Sequence, residues 1–126
     1  MTGRVGILLV GYAYGNTLPE DTWFWSSLDG IADPELTRET GARTFWLREL
    51  VVRKGYQRQG YAHLLHDSLL AARREERAVL FVRADNPARE LYHRWGWSIV
   101  GHMPPQPGIP KFEAMLRQRT KVDPSS

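Results

Sequence analysis

Between residues 44 and 86 four segments follow one another: an apolar, β-branched run (TFWLRELVV), a polar turn with glycine, leucines at helical spacing, and a second apolar run (AVLFVRADN). Two buried strands joined through a helix of this length make a right-handed crossover and lie parallel, because a right-twisted strand feeding a helix packs back onto its sheet only that way. The chain is therefore an α+β or α/β protein built around this unit. Ahead of it, GRVGILLVGYAYG reads as a strand, half of a hairpin entered from a tight turn. Val5, Ile7, Leu8, Leu9, Val10, Tyr12 and Tyr14 are β-prone, and glycines bound both ends. Residues 16–43 carry prolines, glycines and capping residues without a sustained period. They read as a long loop with short helical turns, one of them at DPELTRE. Leu64, Leu65, Leu69, Leu70 and Ala72 predict a helix over residues 61–76. Asp85 or Asn86 can cap the next helix, with Pro87 in its first turn and Gly96 at its end. WSIVGHM and KFEAMLRQR supply the last two strands.

The length of 126 residues, 42% of them hydrophobic and 25% charged, suits one domain with a real core. We assign that domain to residues 1–120 and expect KVDPSS (121–126) to be a flexible tail. A formal charge of +3 suits an anionic ligand. Acids and arginines alternate in stretches such as RREER, however, so the charge pattern predicts no nucleic-acid partner. The absence of cysteine excludes a disulfide framework, a thiolate metal site and a cysteine nucleophile, and makes the reducing cytoplasm the expected compartment. No apolar run approaches the ~20 residues of a membrane span, so a soluble protein without a membrane partner is expected.

The turn YQRQGYAHLL raises the question of a ligand. Where a strand runs into a helix, the first N–H groups of the helix lack internal partners and the helix dipole adds partial positive charge, so an anion can settle there. Gly60 and the small Ala62 leave room for a diphosphate, and Gln57, Arg58 and Gln59 add donors. The same residues also suit a plain surface turn, with glycine supplying φ > 0 before a helix. Neither Gly-Lys-Ser/Thr nor Gly-x-Gly-x-x-Gly occurs, so a P-loop and a dinucleotide fold are both excluded for this turn.

Read together, LRELVVRKGYQRQGYAHLLHDSLL resembles the central motif of the GNAT superfamily of acyl-CoA N-acyltransferases, a strand ending in valine, then Arg/Gln-x-x-Gly-x-Gly/Ala, then an amphipathic helix. NPARELYHRWGW resembles the second signature of that family, at the expected distance beyond an intervening strand. The resemblance covers about residues 44–103. It departs at Lys54, where proline is common, and at Gln57, where arginine is more usual. It implies a mixed, mostly antiparallel sheet whose central parallel pair is splayed to hold acyl-CoA, flanked by helices. It implies an N-acetyltransferase that moves the acetyl group of acetyl-CoA directly to a primary amine of a small molecule or peptide, with no metal. Carried over residue by residue, it implies that backbone groups of Leu50, Val51 and Val52 bind the pantetheine arm. Gln57, Arg58, Gln59, Gly60, Tyr61 and Ala62 would hold the pyrophosphate, Asn86 and Arg89 would flank the cofactor, and Tyr92 would sit near its sulfur.

The reaction needs an acid for the departing thiolate and a route for the proton of the amine. Tyr92 suits the first role, since a phenol pKa near ~10 is comparable with that of an alkyl thiol. Glu49 is the acid nearest the reaction centre along the strand. Strand alternation leaves open whether it faces the cleft or is a surface carboxylate beside Arg48. His63 and His66 share a helix face, but with no third ligand in sight they are expected to be solvent-exposed rather than metal-binding, and His93 and His102 structural. Relatives in the family usually begin with a strand and one or two helices ahead of the point where this chain starts, so a shortened N-terminus is expected. Trp23, Phe24 and Trp25 then either line an acceptor pocket or cover core left bare. A homodimer through the strand edge near residues 3–10 is a further way to supply that surface. The alternative function is a non-catalytic acyl-CoA-binding or dimerisation domain. Both readings imply CoA binding, and only the first implies turnover.

Overall fold

The computed structural model describes residues 2–5, 8–31 and 33–119. Six strands form one sheet: β1 (Thr2–Val5), β2 (Leu8–Thr17), β3 (Thr44–Val52), β4 (Arg77–Arg83), β5 (Ser98–His102) and β6 (Phe112–Gln118), in the order β1-β2-β3-β4-β6-β5. Every neighbouring pair is antiparallel except β3 and β4, which are parallel. The crossover between them carries α2 (Tyr61–Ala71), preceded in the chain by the single turn α1 (Pro34–Thr37) and followed by α3 (Ala88–Arg94). This is the mixed, mostly antiparallel sheet with a central parallel pair that the family resemblance implies. Among the described residues no helix is long and apolar enough to cross a membrane.

The N-terminal segment, read as one strand and half of a hairpin, contains both strands of that hairpin, β1 against β2. Ile7, counted among the strand residues, lies outside the described residues, as does the tail at 121–126. The helix predicted over 61–76 stops at Ala71. Arg73 and Glu75 instead turn back onto β2, where Glu75 accepts hydrogen bonds from Thr17 Oγ1 (2.6 Å) and Arg73 Nη2 (2.7 Å). Burial alone would raise the Glu75 carboxyl, but these bonds outweigh it and bring its pKa down to about 2.

Each sheet face is covered by its own cluster. On one, Leu65 and Leu69 of α2 pack with Phe45, Leu47, Leu80 and Trp97. On the other, Leu18, Phe24, Trp25 and Leu28 from the long loop pack on Trp46, Val79 and Leu116. Phe24 and Trp25 are therefore core residues. Only Trp23 is exposed, standing edge-on to Trp46 at 5.5 Å. A buried ionic group ties this loop to the parallel pair: Glu39 Oε2 accepts from Trp25 Nε1 (2.7 Å), Thr44 Oγ1 (2.8 Å) and Arg77 Nη2 (3.0 Å).

Candidate active site

The parallel ladder between β3 and β4 runs only from Thr44–Arg77 to Trp46–Val79. Beyond it β3 stays paired with β2, and β4 with β6, so the two inner strands part while each keeps its outer neighbour. The edge of β3 that faces β4 thus carries backbone groups without a ladder partner after Trp46. A cleft of about 570 Å³ opens at this point, with Leu50, Val52, Gly60, Asn86, Tyr92 and Trp95 among its walls.

The floor of the cleft at its outer end is the turn read from the sequence. Gly60 is the N-cap of α2 with φ 83°, no side chain caps the helix, and a Cβ at Gly60 would meet nothing within 4 Å. The first N–H groups of an eleven-residue helix thus lack a side-chain cap, and Gly60 and Ala62 beside them line the cleft. Arg58, also in the lining, holds φ 64°, the one positive φ at a non-glycine among the described residues. An unfavourable conformation of this kind is sustained by its surroundings and recurs where a backbone is shaped around a ligand. Gln57 lines the cleft too and donates its amide to Val52 O (3.2 Å), while Gln59 turns back to Gly55 O (3.4 Å). Tyr61 packs edge-on against Tyr56 rather than into the cleft.

The opposite wall is α3. Asn86 Oδ1 accepts from Ala88 N (2.9 Å), which starts the helix. Tyr92 rests edge-on to Trp95 (5.8 Å) and Trp97 (5.9 Å), and its hydroxyl has no hydrogen-bond partner among the described residues. Burial raises its pKa above the usual phenol value. Arg89 is not part of this wall: its Nε lies 2.9 Å from Glu113 Oε1.

Glu49 lies on the other face of β3, for a reason the sequence does not display. The register with β2 passes from Tyr14–Glu49 to Gly15–Leu47, leaving Arg48 as a bulged residue. Before the bulge Phe45 and Leu47 face α2, and after it Leu50 and Val52 do. Glu49 and Val51 consequently point to the face opposite the cleft, where Tyr12 donates its hydroxyl to Glu49 Oε2 (2.9 Å). Arg48 does not pair with Glu49 but lies over the Trp46 ring at 4.0 Å.

The expectation that both α2 histidines are exposed is corrected for His66, which is fully buried. Trp97 Nε1, a donor only, lies 2.9 Å from His66 Nε2, so that nitrogen accepts and Nδ1 carries the proton toward Asp67 Oδ1 (2.8 Å). Burial lowers the pKa of His66, against the pull of Asp67. His63, which does line the cleft, stacks flat on Trp95 (4.7 Å, 5°) and places Nε2 3.2 Å from Asp67 Oδ2. These three residues bring donor atoms within 4.8 Å of one another. A metal on His66 Nδ1 would nonetheless force the ring proton onto Nε2, against the Trp97 N–H, so the donor set does not suit one. His63 and Trp95 escaped sequence reasoning as cleft residues, although the aromatic before Gly96 and the third residue of α2 were the signals available.

The family model of the acetyltransferase (GNAT) domain matches residues 35–113. Among solved structures, Ard1 from Thermoplasma volcanium superposes with a TM-score of 0.67 at 17% identity, over 93% of this chain and 68% of that one. The ribosomal-protein-S18-alanine N-acetyltransferase from Escherichia coli does so at 0.65 and 18% identity, over 98% and 70%. An aminoglycoside 6'-acetyltransferase type Ii gives 0.66 and 19%, over 97% and 69%. At these identities the likeness is one of fold. No curated protein sequence matches the chain.

Proposed function

Because the chain belongs to the GNAT acetyltransferase family, we propose that it moves the acetyl group of acetyl-CoA directly to a primary amine, within a single domain spanning residues 1–120. The observation that carries this reading is that one cleft joins the unladdered edge of β3, the uncapped start of α2 and Tyr92. In it the backbone of Leu50, Val51 and Val52 holds the pantetheine arm as an added strand would be held. The turn from Gln57 to Ala62 takes the pyrophosphate on backbone N–H groups, with Arg58 adding charge. Asn86 bounds the arm from α3, and Arg89, engaged by Glu113, is left to packing.

Acetyl-CoA supplies an activated carbonyl and a thiolate leaving group. The acceptor approaches from the face that bears Glu49, and its nitrogen bonds to the carbonyl carbon as the carbon–sulfur bond breaks. A backbone N–H near Val51 or Val52 steadies the developing oxyanion, Glu49 takes the proton of the amine directly or through water, and Tyr92 gives its proton to the sulfur. A phenol kept protonated by burial is suited to that last step.

The test is isothermal titration with CoA and acetyl-CoA, followed by thiol release over a panel of small amines and peptides. Binding with release is expected. Binding without release across the panel would favour a non-catalytic acyl-CoA-binding domain, and no binding would overturn the reading of the cleft.

A further inference from the structure

At the open end of the β2–β3 pair, on the face away from α2, the register sets Tyr14 directly across from Glu49 and Tyr12 across from Val51. Tyr12 and Tyr14 stack with ring centroids 6.3 Å apart, and the Tyr12 hydroxyl donates to Glu49 Oε2 at 2.9 Å. Tyr14 is 48% exposed and Val51 40%, and neither belongs to the clusters that cover the sheet. One carboxylate thus stands in a block of exposed aromatic and aliphatic surface. Such a block suits an amine with an apolar body: the carboxylate and the ring faces attract the ammonium, and the remaining area takes the body. The bulge adds a charge of the opposite sign. Arg48 lies on the same face and is held over the Trp46 ring at 4.0 Å and at Asn16 Oδ1 at 3.2 Å, rather than pairing with Glu49. A second positive charge on the acceptor would meet a guanidinium fixed beside the carboxylate, and like charges set side by side oppose binding.

We propose that this block is the acceptor site and that it selects a monoamine with an apolar body over a polyamine. Glu49 engages the amine, Tyr14 and Val51 carry the body, and Arg48 turns away a second cation. The inference rests on the acetyl-transfer reading and names the acceptor class that this reading leaves open. β3 is the wall common to both substrates. Leu50 and Val52 line the cleft on one face, Glu49 and Val51 stand on the other, and beyond Trp46 no ladder to β4 closes the way between the two. The same bulge that turns Glu49 from the cleft therefore gives the acceptor a charged surface of its own.

The experiment measures thiol release from acetyl-CoA with ethylamine, phenethylamine, spermidine and a short peptide, and the dissociation constant of CoA beside it, for the wild type, Tyr14→Ala and Arg48→Gln. Wild-type kcat/KM should be about tenfold higher for phenethylamine than for ethylamine or spermidine. Tyr14→Ala should lower it about tenfold for phenethylamine, the scale of one aromatic contact, and leave ethylamine and CoA affinity unchanged. Arg48→Gln should raise it about fivefold for spermidine and leave phenethylamine unchanged. A wild type that prefers spermidine or the peptide would overturn the proposal and leave acetyl transfer standing. So would equal losses for phenethylamine and ethylamine in Tyr14→Ala, or an unchanged spermidine rate in Arg48→Gln. CoA binding without thiol release from any acceptor would overturn the acetyl-transfer reading, and this inference with it.

Discussion

The two ends of the β3–β4 pair share strands and a sheet, yet they are built in opposite ways. At the closed end Thr44, Phe45 and Trp46 are buried and laddered to Arg77, Ala78 and Val79, and the Glu39–Arg77 pair, both side chains about 1% exposed, lies across them. At the open end Leu50 and Val52 are only half-buried, no ladder joins them to β4, and the space between holds a cleft. An open backbone edge in a sheet has to be held open. The bulge at Arg48 turns β3 away, and the network at the other end keeps the pair together where it does meet. The closed end is therefore where stability should be lost on mutation, and the open end where binding and turnover should be.

The largest expected effect is at the closed end. Glu39→Ala leaves the Arg77 guanidinium buried without its carboxylate and should cost about 3–5 kcal/mol in urea unfolding. Glu39→Leu combined with Arg77→Met should recover most of that loss, since an apolar pair carries no desolvation penalty. At the open end Gly60→Glu should weaken CoA about hundredfold (about 2.7 kcal/mol) by placing a strained residue and a negative charge at the start of α2, while the left-handed backbone costs only about 1–2 kcal/mol in unfolding. A stability loss as large as that of Glu39→Ala would erase the division between the ends.

Tyr92→Phe should lower kcat about hundredfold with CoA affinity unchanged, as removal of an acid used only in the transition state would. Because burial raises this phenol, the wild-type rate should fall with rising pH only above the ordinary phenol range, and that limb should vanish in the variant. The smallest effect returns to the closed end. Thr17→Val removes one hydrogen bond to Glu75 and should cost about 1 kcal/mol at neutral pH. The folded-state pKa of Glu75 is depressed to about 2, so its contribution is present above the usual carboxylate range and is lost as pH falls toward 2. The difference between wild type and Thr17→Val, read by unfolding at a series of pH values, should shrink over that window.

Much of the fold was legible because its signals are local. The span of β3, the glycine start of α2, the Asn86 bond that begins α3 and the short turn at Pro34–Thr37 each follow from residues close to one another in the chain. The end of α2 was not, since Arg73 and Glu75 suit a helix locally and leave it only for Thr17, more than fifty residues away. The place of Trp23, Phe24 and Trp25 was equally hidden, because whether an aromatic lines a pocket or fills a core depends on what lies beneath it.

The parallel crossover, the turn that could receive an anion and the family to which the chain belongs can all be read from the residues in order. These rest on periodicity, glycine conformation and short motifs, which act over a few residues. That Glu49 faces away from the cleft, that Arg89 is engaged by Glu113, and that one histidine of α2 is buried while the other borders the cleft are settled by long-range packing. Each of those outcomes depends on a strand register or a packing partner distant in sequence, and a single bulged residue suffices to exchange the two faces of a strand.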